Sequence, residues 1–190
     1  MTATAGLCDY AKVTTNSGHL REAVGCMTIK IRRAKESDIK GITEIYNEAI
    51  LTTDATFDTE PKTLAEQRKW YRAHGPRNPI LVAEENQVIL GWASLSEWST
   101  RCAYADTAEI SLYIKQAYRN QGIGQLLMKS ILDAGVKTGL HTILSRSTSG
   151  NDVSVRLHNK YGFKSIGTMQ EVGRKNGKLL DVEMLQLMLN

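Results

Sequence analysis

The sequence predicts a single α/β domain of about seven strands and about four helices at residues 27–190, preceded by an extension at residues 1–26. Segments in which apolar and polar residues alternate, as in strands, are interspersed with segments whose apolar residues recur at helical spacing. A chain of 190 residues suffices for one domain with a substantial core. Residues 1–26 show no sustained period and lack the apolar core of a secretory signal, so we expect a mobile extension there.

In the first half of the domain, the sequence predicts a strand, two helices and a hairpin of two strands. Residues 28–34 ("TIKIRRA") alternate like a strand, and Asp38 or the preceding serine can cap the helix that follows. A second helix is predicted from Thr63 to about His74, with Leu64 and Trp70 facing inward. Two strands at 80–85 and 88–96 then flank the short Asn86-Gln87 turn, which predicts a hairpin.

The second half begins with a strand whose two faces differ. In "AEISLYI" (108–114) the apolar residues lie on one face and Glu109, Ser111 and Tyr113 on the other, because side chains alternate along a strand. The remaining predicted elements are a helix ending at about Lys137, a strand at 141–147, a short helix from Asn151 to about Tyr161, and two strands around the Lys175–Lys178 turn.

Composition excludes several classes of function. The net charge is +4, with 24 Lys and Arg against 20 Asp and Glu, and no dense basic run indicates nucleic-acid binding. No apolar stretch approaches the ~20 residues of a membrane span. Cys8, Cys26 and Cys102 are odd in number and lack metal-ligand spacing, so we expect no metal and a reducing, cytoplasmic setting.

The stretch "AYRNQGIGQLL" (117–127) places two glycines where a helix begins. A Walker phosphate loop is excluded because Gln125 and Leu126 follow the last glycine, and a dinucleotide fingerprint would need a third glycine. Two interpretations remain: a pyrophosphate site made of backbone N–H groups at a helix N-terminus, with Arg119 nearby, or an ordinary strand-to-helix turn.

Two segments resemble one superfamily. "YRNQGIGQLL" after "SLYI" resembles the acetyl-CoA motif of the GCN5-related N-acetyltransferases (GNAT), whose pattern is Gln/Arg-x-x-Gly-x-Gly/Ala, and "GNDVSVRLHNKYGF" (150–163) resembles their second cofactor segment. The resemblance implies the GNAT fold, a mixed and mostly antiparallel sheet in which the fourth and fifth strands (here 108–114 and 141–147) splay apart. It also implies acetyl-CoA as the acetyl donor.

A narrower resemblance rests on longer stretches. "YNEAILTTDATFDTEP", "EWSTRCAYADTAEISLYI" and "NDVSVRLHNKYGF" are similar to the phosphinothricin and methionine sulfoximine N-acetyltransferases. This family acetylates the α-amine of small amino-acid analogues and is commonly homodimeric. The superfamily usually has tyrosine where this chain has His158, whereas histidine there is typical of the narrower family.

The resemblance assigns the cofactor residues. The strand backbone at Leu112, Tyr113 and Ile114 would pair with the pantetheine arm, and Asn151 and Ser154 would contact the cofactor. From Glu109 to Ile114 is roughly 16 Å at about 3.3 Å per residue, comparable to an extended pantetheine arm. The pyrophosphate would be bound by Arg119, Asn120, Gln121, Gly122, Ile123 and Gly124.

The resemblance also implies catalytic roles for two residues. An amino-acid ammonium must lose a proton before its nitrogen attacks a thioester, and Glu109 is the candidate base. Its alternatives are a solvated strand carboxylate or an ion pair with Arg101. We interpret His158 as cofactor-facing, assisting proton transfer or protonating the departing thiolate. The alternative is a structural histidine with satisfied hydrogen bonds.

Substrate recognition is expected from loops. Arg101 can hold a carboxylate through two hydrogen bonds, and Tyr104 can donate its hydroxyl. The alternative for Arg101 is a surface charge. Phe57 and Thr56 would form a wall of the pocket. Nothing in the spacing supports a nucleophilic role for Cys102.

Two other functions stay open at this stage. A protein N-terminal acetyltransferase uses the same fold but needs an open peptide groove. A non-catalytic acyl-CoA-binding sensor would keep residues 119–124 and have no need of Glu109.

Overall fold

An eight-stranded sheet forms the centre of the protein. The structure is a computed structural model that describes residues 3–6 and 28–189, with side chains for 28–189. The strands are β1 (Ala3–Gly6), β2 (Thr28–Arg33), β3 (Ile80–Glu85), β4 (Val88–Glu97), β5 (Thr107–Ile114), β6 (Thr142–Thr148), β7 (Lys164–Lys175) and β8 (Lys178–Met188). Their order is β1-β2-β3-β4-β5-β6-β8-β7, and every neighbouring pair is antiparallel except β5 and β6.

Four α-helices cover the two faces of the sheet. They are α1 (Ile39–Thr52), α2 (Leu64–Ala73), α3 (Ile123–Lys137) and α4 (Asp152–Lys160). Helix α1 packs Ile42 and Ile45 against Val82 and Trp92 on one face. Helix α3 buries its apolar side on the other face, with Leu127, Met128 and Ile131 in the larger core cluster. The predicted α/β class, the mixed sheet and the four helices are therefore confirmed.

The alternation predicted for residues 108–114 is confirmed in β5. Ile110 is buried in the larger core cluster, and Leu112 and Ile114 pack against it. Tyr113 faces the other side of the sheet, where its ring lies 4.9 Å from that of Trp92. One strand therefore presents an apolar face to α3 and a polar face to the side of α1.

Both hairpin turns have positive φ at their two central residues. Asn86 and Gln87 have φ values of 48° and 66° between β3 and β4, and Asn176 and Gly177 have 50° and 77° between β7 and β8. Positive φ at both central residues gives a twist that matches the right-handed twist of the strands. The turns at 86–87 and 175–178 are therefore where the sequence predicts them.

Helix α2 begins with an exposed leucine. Leu64 was expected to face inward, but it is 41% exposed, and Gln67 takes the buried position on α2. Leu64 opens the helix directly after its Thr63 cap, at the end away from the core.

The mobile extension predicted at residues 1–26 lies outside the described residues, except for Ala3–Gly6, which pair with β2. Its mobility stays a prediction. In the described part, no helix is long and apolar enough to cross a membrane.

Candidate active site

Strands β5 and β6 separate and open a cleft. They pair in parallel at only three positions, ending where Glu109 meets Leu144. Beyond that point β5 continues to Ile114 beside β4, while β6 continues to Thr148 beside β8. The cleft between them has a volume of about 1280 Å³. The predicted splay of these two strands is confirmed.

One end of the cleft presents unbonded backbone N–H groups. Gly122 is the N-cap of α3 with φ 81°, a left-handed conformation that glycine adopts without steric cost, and Asn120 has φ 60°. Among the described residues, the N–H groups from Asn120 to Gly124 donate to no protein acceptor. They lie at the positive end of the helix dipole, so this turn is suited to an anion.

Gly124 leaves space that no protein atom fills. A Cβ placed there would lie 3.5 Å from Leu157 Cδ2 and 4.0 Å from Leu112 Cδ2, both ordinary contact distances. Packing alone therefore does not demand glycine at this position, and a ligand can approach the backbone closely.

The middle of the cleft is bounded by the free edge of β5. The Lys115 N–H donates to Leu90 of β4. Backbone groups alternate between the two edges of a strand, so those of Leu112 and Ile114 point into the cleft. Arg119 Nε donates to the Ile114 carbonyl at 3.2 Å, in agreement with that direction. Tyr113 differs from the expectation, since its backbone groups face β4 and only its side chain reaches the cleft.

The opposite end of the cleft holds an ion pair. Arg146 Nε and Nη2 each donate to one oxygen of the Glu109 carboxylate, both at 2.6 Å. The Glu109 side chain is 19% exposed and that of Arg146 53%. The hydrogen bonds to Glu109 raise the pKa of Arg146. Glu109 is thus ion-paired as one alternative anticipated, but with Arg146 rather than Arg101.

His158 is buried with both ring nitrogens hydrogen-bonded. Nδ1 lies 2.8 Å from the Ser154 carbonyl oxygen, which can only accept, so Nδ1 carries the proton. Nε2 lies 2.9 Å from Ser145 Oγ and accepts a hydrogen bond from that hydroxyl. Burial lowers the pKa of His158, and its ring packs edge-on against Phe163. The imidazole is therefore neutral at pH 7, and both His158 and Ser145 line the cleft.

The start of α4 contributes the remaining predicted cofactor residues. The Asn151 side chain accepts from the Ser154 N–H at 3.2 Å and caps the helix. Both residues line the cleft. The Ser154 hydroxyl also lies 3.4 Å from His158 Nδ1. The same residues therefore shape the helix and the cleft wall.

A loop between α1 and α2 closes the Glu109 end. Thr56 is buried, and its hydroxyl lies 2.9 Å from that of Tyr46, which donates to Asp58 at 2.6 Å. Phe57 packs so closely on Gly173 of β7 that a Cβ there would lie 2.2 Å from its ring. Burial raises the pKa of Tyr113, which lines the same region, to about 12. Thr56 and Phe57 both line the cleft, and their contact with a substrate stays a prediction.

Three predicted residues lie apart from the cleft wall. Arg101 and Tyr104 are exposed in the loop between β4 and β5, and neither lines the cleft. That loop begins beside Trp98, whose ring lies 5.8 Å from the Arg146 guanidinium. The Gln121 side chain donates to the Ala117 carbonyl, outside the cleft, so this residue offers only its backbone N–H.

Sequence reasoning missed Arg146, Ser145 and Lys175. The predicted strand at 141–147 places Arg146 on one face with Leu144, but only the structure shows that Leu144 pairs with Glu109. Lys175 is buried although it is a lysine at a hairpin turn. Its ammonium donates to the carbonyls of Thr53 and Thr56, which no pattern in the sequence indicates.

Comparison with known proteins identifies the class of protein that carries this cleft. The acetyltransferase (GNAT) family matches residues 42–163. The phosphinothricin N-acetyltransferase of Streptomyces coelicolor is 37% identical over 83% of this chain and 95% of its own. The L-methionine sulfoximine/L-methionine sulfone acetyltransferase of Pseudomonas paraeruginosa is 35% identical over 86% of this chain and 96% of its own.

A solved structure agrees in fold. The acetyltransferase yncA of Salmonella typhimurium, solved with its cofactor acetyl-CoA, superimposes with a TM-score of 0.83 and 35% identity. The superposition covers 85% of this chain and 94% of that one. The chain therefore belongs to the GNAT family and is an N-acetyltransferase.

Proposed function

We propose that the chain transfers the acetyl group of acetyl-CoA to the α-amine of a small amino-acid analogue. Phosphinothricin, methionine sulfoximine and methionine sulfone are the candidates, since relatives named for these substrates are similar to nearly the whole chain. The observation that carries the proposal is the cleft itself, which joins the unbonded N–H groups at the start of α3 to the Glu109 carboxylate.

The cleft suits acetyl-CoA along its length. The N–H groups from Asn120 to Gly124, with Arg119, would bind the pyrophosphate. The β5 backbone at Leu112 and Ile114 would hydrogen-bond the pantetheine arm, with Asn151 and Ser154 on the opposite wall. Acetyl-CoA supplies the acetyl group as a thioester. The five residue steps from Ile114 to Glu109 span roughly 16 Å, so the acetyl group would lie beside the carboxylate.

The proposed reaction is direct attack without an acyl-enzyme. Glu109 takes a proton from the substrate ammonium, directly or through a water, and the nitrogen keeps the electron pair. That nitrogen attacks the thioester carbonyl, the C–S bond breaks, and the second proton that the nitrogen sheds passes to the departing thiolate, directly or through a water. Unpaired donors on the β5 edge are placed to stabilise the intermediate oxyanion.

His158 enters the proposal as a residue that acts through Ser145. Its neutral ring accepts a hydrogen bond from the Ser145 hydroxyl at Nε2 and has no proton to give at that atom. The proposed role is to fix the Ser145 side chain in the cleft, where the hydroxyl meets the thiol end of the cofactor. Thr56 and Phe57 would contact the amine substrate, and Arg101 and Tyr104 would approach it from the neighbouring loop.

We further propose a cytoplasmic homodimer. Strand β7 is an edge strand of the described sheet, and it exposes Ile166, Met169 and Val172. Apolar side chains exposed on an edge strand are typical of an interface. Sedimentation of the purified protein tests the dimer, and a monomer at micromolar concentration would contradict it.

Thiol release from acetyl-CoA tests the function. The panel contains phosphinothricin, methionine sulfoximine, methionine sulfone and a short peptide with a free N-terminus. We expect turnover with the amino-acid analogues, and preference for the peptide would indicate a protein N-terminal acetyltransferase. Acetyl-CoA binding without thiol release would indicate a sensor.

The variant Glu109→Gln tests the base. It should still bind acetyl-CoA while turnover falls by about 10²-fold or more, because general-base catalysis contributes that much. Glu97→Gln is the matched control, an exposed glutamate on neighbouring β4. Unchanged turnover in Glu109→Gln would remove this residue from the mechanism.

A further inference from the structure

The Arg146 guanidinium has hydrogen-bonding capacity that the proposed reaction does not use. A guanidinium carries five N–H donors. Glu109 engages the single proton on Nε and one on Nη2. Within residues 28–189, Nη1 makes no hydrogen bond, and 53% of the side chain is exposed. The edge formed by Nη1 and Nη2 is therefore available for a second, two-pronged contact.

The surroundings hold this guanidinium in place at the transfer end of the cleft. Glu109 binds it on one side, and the Trp98 ring lies 5.8 Å from its central carbon. Arg146 lines the cleft together with Glu109, Phe57 and Thr148. A cation fixed in this way loses little side-chain entropy when it binds an anion.

We propose that Arg146 binds the α-carboxylate of the acyl acceptor while Glu109 receives its α-ammonium. This inference rests on the proposed function and narrows the substrate class to free α-amino acids with an unblocked carboxylate. The ammonium and carboxylate of an α-amino acid are close neighbours, as are the two charges of the Glu109–Arg146 pair. The substrate lies antiparallel to that pair, with each of its charges next to the opposite charge on the protein.

This arrangement assigns a role different from that expected for Arg101. Arg101 is exposed outside the cleft wall, whereas Arg146 is already hydrogen-bonded to the carboxylate that receives the amine. Planar, two-pronged recognition of a carboxylate is the contact that arginine makes best. A peptide N-terminus has an amide in place of the carboxylate, so Arg146 disfavours peptides as acceptors.

The test compares methionine sulfone with its carboxamide, which lacks only the carboxylate charge. In wild type the acid should be the better substrate by kcat/KM. In Arg146→Met, kcat/KM for the acid should fall roughly 10-fold or more relative to the carboxamide, the loss expected for charge-assisted hydrogen bonds. Arg146 also touches Glu109, but an effect through Glu109 reaches both substrates and cancels in their ratio.

Two further variants sharpen the result. Arg146→Lys keeps the positive charge but not the planar, two-pronged set of donors, so the preference for the acid over the carboxamide should be lost only in part. Arg101→Met removes the rival arginine on the neighbouring loop; if Arg146 is the carboxylate partner, the ratio should stay unchanged, and the KM for acetyl-CoA should stay constant in all three variants. An equal loss for both substrates in Arg146→Met, or a changed ratio in Arg101→Met alone, would overturn the proposal. Absence of wild-type thiol release with any amine would instead overturn the proposed function.

Discussion

A buried lysine fastens one wall of the cleft, and its removal is a direct test of how the site is held. Lys175 ends β7, and its ammonium donates to the carbonyls of Thr53 and Thr56, each at 2.8 Å. These carbonyls belong to the loop that carries Phe57 and closes the Glu109 end. Burial lowers the pKa of Lys175, with no carboxylate within salt-bridge distance in the described part of the chain.

The size of the effect follows from those two bonds. A hydrogen bond to a charged group contributes about 1.5–3 kcal/mol, and Lys175→Met removes two of them. The substitution also relieves the cost of burying an ammonium and keeps most of the apolar contact. We therefore expect a net loss of about 2 kcal/mol, which lowers Tm by roughly 4–8 °C in a domain of this size.

The assay has a thermodynamic and a kinetic part. Thermal unfolding of Lys175→Met is compared with Lys178→Met, a control at the other, exposed end of the same turn. The released loop should also raise the KM for the amine substrate, while the KM for acetyl-CoA stays unchanged. Equal Tm and equal KM in the two variants would show that Lys175 does not hold the loop.

Two other predictions concern the cofactor and the pH. Arg119→Ala should weaken acetyl-CoA binding measured by calorimetry by roughly 10-fold, the loss of one charged contact, and an unaltered Kd would count against a phosphate role. Burial lowers the pKa of His158 and of His74 from about 6.5. Below pH 6.5 the unfolded chain gains protons that the folded state takes up less readily, so the free energy of unfolding should fall. His158→Gln should flatten that decline between pH 6.5 and 5. If the free energy of unfolding fell equally steeply with pH in wild type and in the variant, His158 would not be a source of the decline.

Local patterns predicted most of the fold because they act over a few residues. Period-two alternation placed β5 with Ile110 and Glu109 on opposite faces, and the capping box of Thr63 and Glu66 sets the start of α2. The prediction for Leu64 was wrong because helical spacing identifies one face of a helix but does not say which turns of that face contact the core. The position of α2 over β4 depends on tertiary packing.

The parts of the candidate site that lie within one short segment could be predicted from the sequence, whereas those that depend on how two strands align could not. The turn at Asn120–Gly124 uses consecutive backbone groups, so its glycines identify it. The Glu109–Arg146 pair depends on how β5 aligns with β6, which are parallel strands joined through α3. No spacing in the sequence fixes that alignment, so the ion-pair alternative for Glu109 named Arg101, whereas the structure gives Arg146.

Strand β5 explains why these pieces must work together. Its polar face carries Glu109, its free edge offers the backbone of Leu112 and Ile114, and its end leads into the turn before α3. If β6 stayed paired with β5 beyond Glu109, it would occupy the edge that the proposed pantetheine contact requires. If the strands parted earlier, Arg146 would lose its alignment with Glu109. The length of the three-residue pairing therefore sets the position of the Glu109–Arg146 pair relative to the free edge of β5.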